Sequence, residues 1–193
     1  MPPSVTSLRA ALVALLKERS LRLGEYTLSS GRKSHYYIDA RLTTMSAQGL
    51  EIIGLLGVSM IAEAIWNARL VGGLTLGADP MAYSISLASC KAPPIFDAFV
   101  VRKEPKAHGT QRKIEGCFTE GSRVVVVEDV ITTGGSALTA IKAVEDARGV
   151  VVGVLGVVDR MEGGRAAIEK AGYPVLTMVT IRDLGVEPDM SAS

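Results

Sequence analysis

Apolar positions near the start of the chain recur with a helical period. Leu8, Leu12, Leu15 and Leu16 fall at i, i+4, i+7 and i+8, which predicts an amphipathic helix over residues 4–19. Tyr36-Tyr37-Ile38-Asp39 follows the turn-like Ser29-Ser30-Gly31 and reads as a strand. The longest helical pattern covers 46–68, opened by Ser46 as its N-cap. An apolar run at 70–74 is followed by a helix over 80–89, with Pro80 in its first turn, and by a strand over 95–101. Residues 102–116 are polar, basic and broken by Gly and Pro, which predicts a long loop. A strand at 123–127, a helix at 135–147, a strand at 150–158, a helix at 163–171 and a strand at 175–180 complete the series. Strands separated by helices of about 10–20 residues require βαβ crossovers. The pattern therefore predicts one α/β unit with a mainly parallel sheet and helices on both faces, undivided by any repeat or linker.

Composition narrows the class. A chain of 193 residues suits a single domain with a sizeable core. Its 21 Lys+Arg balance 20 Asp+Glu to a net charge of +1, so no global field attracts nucleic acid or an anionic membrane, and any basic function is local. The mean hydropathy of +0.29 is high, yet the longest apolar stretch, 149–158, is about half a membrane span. Its valines and glycines read as a strand buried on both faces. No charged segment precedes the first apolar run, so no signal peptide is expected. Cys90 and Cys117 lack metal spacing and are read as reduced, buried thiols of a cytoplasmic protein. A disulfide scaffold, a transmembrane protein, a nucleic-acid partner and a membrane partner are all excluded on this reading.

Ligands of open α/β sheets sit beyond the carboxyl ends of the strands, so residues after the apolar runs are the candidates. The strongest run is Arg123-Val-Val-Val-Val-Glu128-Asp129-Val130-Ile131-Thr132-Thr133-Gly134-Gly135-Ser136. Four valines bring the chain to the sheet edge, two adjacent carboxylates emerge, and a Thr/Gly/Ser turn opens a helix. Backbone N–H groups of such a turn, backed by a helix N-terminus, form a concave anion site, and glycine lets the backbone approach the anion. The acids would repel a phosphate, so ribose hydroxyls or a cation are their natural partners. The run is neither a Walker A loop nor GxGxxG.

This run resembles the phosphoribosyl diphosphate (PRPP) motif of type I phosphoribosyltransferases. The resemblance implies that Glu128 and Asp129 contact the ribose hydroxyls and that Val130, Ile131, Thr132, Thr133, Gly134, Gly135 and Ser136 hold the 5′-phosphate. Three further segments narrow the resemblance to the orotate branch. Arg102-Lys103-Glu104-Pro105-Lys106-Ala107-His108-Gly109 is a cationic interruption of the α/β core. It resembles that branch's catalytic loop, in which Arg102, Lys103, Lys106 and His108 would engage the diphosphate, Lys103 in the neighbouring subunit's site. The stretch 26–39 resembles the branch's N-terminal hood, with Tyr36 and Tyr37 near the base. Read alone, that pair is an ordinary strand pair. Asp159-Arg160-Met161-Glu162-Gly163-Gly164 resembles the segment whose arginine binds the orotate carboxylate, here Arg160, with Thr132 also beside the base.

The resemblance spans about 24–164. It implies a type I phosphoribosyltransferase-like fold, with a mainly parallel sheet flanked by helices and a small N-terminal hood drawn from about 1–45. It also implies a mobile catalytic loop at about 102–116, Mg²⁺ as cofactor, PRPP and orotate as substrates, and a homodimer with active sites shared across the interface. No protein cage for the metal is expected, since substrate oxygens and water would hold Mg²⁺. Lys103, Asp129 and Glu128 would carry the catalytic roles. Two departures stand out: Ser29 and Leu76-Gly77 occupy positions where many relatives carry lysine or Tyr-Lys. Alternatives are a transferase for another base, a PRPP-sensing regulator on the same fold, and one domain of a bifunctional enzyme. The loose Met-Ser-Ala-Ser end favours a single-function protein, and no DNA-binding patch or added domain is expected.

Overall fold

The structure, a computed structural model, describes residues 3–27, 33–91, 93–104 and 113–189. Helix α1 (Val5–Arg19) leads into a hairpin of β1 (Leu21–Thr27) and β2 (Lys33–Ile38). The short α2 (Arg41–Thr44) and the long α3 (Ala47–Glu63) follow, and then β3 (Leu70–Leu74), α4 (Ala78–Ser89) and β4 (Asp97–Val101). The remainder is β5 (Ile114–Gly116), β6 (Arg123–Ile131), α5 (Gly135–Asp146), β7 (Val150–Asp159), α6 (Gly164–Lys170) and β8 (Val175–Thr180). Strands β3 to β8 form one six-stranded sheet in the order β5-β4-β3-β6-β7-β8, parallel except for β5 against β4, while β1 and β2 pair separately.

Two apolar layers cover the sheet. Val71, Val125, Val127, Leu155 and Val157 face one layer, with Leu12 and Leu16 of α1, Ile53 and Leu56 of α3, and Met81 and Ile85 of α4. Val124, Val126 and Val154 face the other, with Ala140, Ile141 and Val144 of α5 and Ile168 of α6. Alternation along β6 thus feeds both layers, as the period of two in a strand requires. Ser4 and Ser46 cap their helices by accepting from Ser7 N and Gly49 N, both at 3.1 Å. Among the described residues no helix is long and apolar enough to cross a membrane.

Several boundaries differ from the periodicity. The helix expected to reach residue 68 ends at Glu63, because Ile65 and Asn67 adopt positive φ values of 56° and 47° and turn the chain towards β3. Residues 114–116 are not loop but edge strand, since Ile114 is buried and pairs with Val101. β6 runs on past Val127 to Ile131, where Val130 and Ile131 pair with Val158 and Asp159. Both cysteines are exposed rather than buried, because each stands where the chain leaves an element, after α4 and after β5.

Candidate active site

The order of the sheet places its switch point between β3 and β6, from which the chain winds outwards in both directions. A crevice at the carboxyl ends of these two strands follows from that reversal. Their pairing stops at Gly72 and Val126, so β6 continues alone on that side, and Glu128 and Asp129 lie on this free stretch. Glu128 is buried, and its Oε2 has no hydrogen-bond partner among the described residues. Burial, reinforced by the charge of Asp129 beside it, pushes the Glu128 carboxyl up to about 8. Burial also raises Asp129, opposed by the Val130 N–H, which donates to Asp129 Oδ1 at 2.9 Å.

The turn after β6 encloses a small cavity of about 80 Å³, lined by Glu128, Thr132, Thr133, Gly134, Gly135 and Ser136 among others. Gly134 stands at the N-terminus of α5 with φ 82°, a left-handed conformation that favours glycine. Its neighbour in space is Gly164, whose N–H donates to Thr132 O at 2.9 Å and where a Cβ would lie 2.5 Å from that oxygen. The glycines after Arg160 therefore seat the start of α6 directly on the turn after β6. Ile131 O also accepts from Arg160 N at 3.0 Å. Two segments separate in sequence form one piece of backbone.

Across the crevice, the loop after β3 meets Asp129 closely. A Cβ at Gly77 would lie 2.5 Å from Asp129 Oδ1, so the Leu76-Gly77 variant leaves room that a larger residue would take from the carboxylate. Thr75 Oγ1 donates to Asp79 Oδ2 at 2.6 Å, while Asp79 Oδ1 is buried without a hydrogen-bond partner among the described residues, and burial raises its carboxyl. Arg41, at the start of α2, grips Asp39 through Nε and Nη2 at 2.8 and 2.9 Å and holds its carboxyl below the usual range. Arg41 also lowers Asp129 by its charge. Asp79 and Arg41 were not among the sequence candidates. Asp79 lies in the Gly73–Pro80 run that carries the Leu76-Gly77 departure but has no role assigned by it, Arg41 belongs to no local motif, and proximity in the fold marks both.

Arg160 follows β7 and is buried. Its Nε donates to the Tyr36 hydroxyl at 3.1 Å, its Nη2 lies 2.7 Å from Glu162 Oε1, and its Cζ stands 4.7 Å from the centroid of the Tyr36 ring. Tyr36 is fully buried and donates to Glu162 Oε1 at 3.2 Å; burial first, and then Glu162, push the phenol up to about 12, against the opposing pull of Arg160. Tyr37, one residue on, points to the opposite face, is 42% exposed and lies 5.6 Å from the Tyr26 ring. The two tyrosines therefore have different surroundings. Thr132 sits between the two strand ends, half-buried.

Of the cationic loop, Arg102 and Lys103 leave the end of β4 on the ligand side of the sheet. Arg102 N donates to Lys113 O at 2.8 Å, and its Nη1 lies 4.0 Å from Glu115. Lys103 is exposed. Lys106 and His108 lie outside the described residues, as does Ser29.

The chain is 45% identical over 179 residues to the orotate phosphoribosyltransferase of Aquifex aeolicus (strain VF5), a match covering 91% of this chain and 97% of that relative. It belongs to the orotate phosphoribosyltransferase family. No protein-family model matches it. Among solved structures, the orotate phosphoribosyltransferase of Mycobacterium tuberculosis H37Rv in complex with Fe(III) dicitrate aligns with a TM-score of 0.83 at 49% identity, over 93% of this chain and 99% of that one. The same enzyme in complex with PRPP aligns with a TM-score of 0.77 at 44% identity, over the same shares. The mainly parallel, helix-flanked sheet is thus the type I phosphoribosyltransferase fold, and the family is one of pentosyltransferases acting in pyrimidine synthesis.

Proposed function

We propose that this chain transfers the phosphoribosyl group of PRPP to orotate, giving orotidine 5′-monophosphate and diphosphate, with its chemistry at the switch point between β3 and β6. One observation carries the reading. Two adjacent carboxylates, Glu128 buried and Asp129 half-buried, without an ion pair among the described residues, stand beside a glycine-rich turn that encloses an anion-sized cavity. The turn 132–136 holds the 5′-phosphate through backbone N–H groups and the start of α5. Glu128 and Asp129 hold the ribose hydroxyls. As diphosphate leaves C1, positive charge grows on the sugar, and fixed carboxylates in a partly desolvated crevice favour that charge without reorganising. Arg102, Lys103, Lys106 and His108 neutralise the departing diphosphate. Arg160 receives the orotate carboxylate, with Thr132 and the tyrosines of the hood beside the base. Orotate is already an anion, so no strong general base is required.

Mg²⁺ fits the donors present. The unpartnered oxygens of Glu128 and Asp79 and the raised Asp129 are hard ligands in need of a cation. Among the described residues no cluster of His, Cys, Asp or Glu makes a cage of its own, so the ion would be shared with substrate oxygens. When bound, it supplies charge to the leaving diphosphate.

A homodimer completes the proposal. Between α3 and α4 runs an apolar groove of about 670 Å³ lined by Leu50, Leu55, Tyr83 and Leu87, the last 75% exposed. A second copy of the chain would bury it. The free thiols suit a reducing cytoplasm.

The test of activity follows the loss of orotate absorbance with PRPP and Mg²⁺, beside adenine, hypoxanthine and uracil. Consumption of orotate alone is expected, and turnover of another base in its place overturns the assignment. Site sharing is checked by mixing inactive Lys103→Ala and Asp129→Ala chains. Random exchange makes half of the dimers mixed, each with one intact site, so activity should return to about one quarter of wild type. No return after verified exchange means that each loop serves its own chain.

A further inference from the structure

Arg160 carries one positive charge and faces two carboxylates. Its Nη2 lies 2.7 Å from Glu162 Oε1 and 3.8 Å from Asp189 Oδ2. Glu162 belongs to the same turn, its side chain is closed to solvent, and the Tyr36 hydroxyl donates to it. Asp189 arrives from the far end of the described chain, beyond β8, where residues 186–189 form no helix or strand. Its Oδ1 lies 2.6 Å from His35 Nδ1, on a histidine side chain that is 56% exposed. Among the described residues its Oδ2 is buried with no hydrogen-bond partner, and Arg160 Nη2 likewise makes no hydrogen bond of good geometry. A carboxylate oxygen and a guanidinium nitrogen 3.8 Å apart attract, but they stand outside hydrogen-bond reach. Each stays open to a better partner.

We propose that Asp189 is a resident carboxylate that occupies Arg160 in the free protein and is displaced by the carboxylate of the incoming base, so that the C-terminal segment sets the affinity for orotate. The proposal rests on the reading that Arg160 receives the base. Its physical basis is charge. Three carboxylates around one buried guanidinium leave two negative charges uncompensated, which a desolvated site does not tolerate. Glu162 cannot leave, because its turn is fixed between β7 and α6 and its glycines are seated on the turn after β6. Asp189 can. Val186 and Pro188 are buried and tether the segment to the core, so the exchange needs only Asp189 itself to swing, giving up its contacts with Arg160 and with exposed His35. The apparent dissociation constant of the base is then the intrinsic one divided by the fraction of molecules in which Asp189 has swung away.

The experiment compares wild type with Asp189→Asn and with a chain ending at Pro188, reading both steady-state kinetics and direct orotate binding. In both variants the orotate KM and dissociation constant should fall by about three- to tenfold, as expected if the open fraction is about a tenth to a third. The kcat and the PRPP KM should stay within about twofold of wild type. Binding of uracil, which has no carboxylate, should not change. An orotate KM that is unchanged or raised, or a uracil affinity that shifts equally, overturns the proposal. Arg160→Gln, verified as folded by its thermal transition, separates the two levels of failure. If that variant weakens orotate binding while Asp189→Asn fails to tighten it, only the role of Asp189 falls. If Arg160→Gln leaves orotate binding unchanged, the base site itself is misassigned and the proposal falls with it.

Discussion

At the carboxyl end of β6, Glu128 and Asp129 stand with raised carboxyls, one oxygen orphaned, and no ion pair among the described residues. One strand over, at the end of β7, Arg160 is buried among Tyr36, Glu162 and Asp189, its Nε bonded to the Tyr36 hydroxyl and its Nη2 facing the two carboxylates as ion pairs. The first site holds carboxyls whose ionisation its own fold leaves uncompensated, and the second holds a cation already matched. An unmatched site gains from a ligand that brings the missing cation and hydroxyls. A matched site admits a ligand only by exchange. Sugar and base would accordingly be held by different physical means at the ends of two neighbouring strands.

The sharpest way to break the contrast is to remove charge at the unmatched end. Asp129→Asn keeps the size and hydrogen-bonding capacity of the side chain, and its kcat should fall by about a hundredfold or more, further than its PRPP KM rises, because complementarity to the charged sugar grows in the transition state. Steady-state kinetics with PRPP varied checks this; weakened PRPP binding at unchanged turnover would put the role in the ground state. At the matched end, Arg160→Gln should cost about 2–4 kcal/mol of orotate binding, as expected for loss of a shielded charged pair, with PRPP binding nearly untouched. It also strips Glu162 of its counter-ion, so the thermal midpoint should drop, and a second change, Glu162→Gln, should recover the midpoint without recovering the affinity. Recovery of both would show that Arg160 acts only through the fold.

A smaller effect probes how closely the unmatched end is built. Gly77→Ala puts a Cβ against Asp129 Oδ1, and should lower kcat/KM for PRPP by about tenfold through a shift of that carboxylate in a folded protein. An unaffected rate would mean that the carboxylate moves aside freely. A change of another kind is expected in stability. Glu128 is raised in the folded chain to about 8 from an ordinary 4.5. The folded state therefore keeps a proton that the unfolded state gives up, and stability falls as pH rises from about 4.5 to about 8. Thermal unfolding across that range should show a decline that Glu128→Gln flattens, and an identical slope in both proteins would assign the decline to other groups.

Most elements could be read from the chain because each is set by neighbours in sequence. Leu8 to Leu16 declare a helix by their spacing, the valines before Glu128 declare a buried strand, and Thr132 to Ser136 declare a turn, since caps and positive φ depend on a few consecutive residues. The acids and the glycine turn of the candidate site were legible for the same reason. Boundaries that depend on a partner strand were not. β6 extends to Ile131 because β7 lies beside it, and 114–116 is a strand because Val101 is there to pair with Ile114.

The state of each charge was decided only in three dimensions. Nothing in Asp159-Arg160-Met161-Glu162 says that Arg160 is already matched, because the match requires Tyr36 from the hairpin and Asp189 from the last described segment. Nothing in Leu76-Gly77 says that the missing side chain makes room for Asp129, because that contact joins two strands across the switch point. Local chemistry fixes what a residue is able to do. Burial and the company of distant residues, which set how much of its charge is left over for a ligand, belong to the tertiary structure.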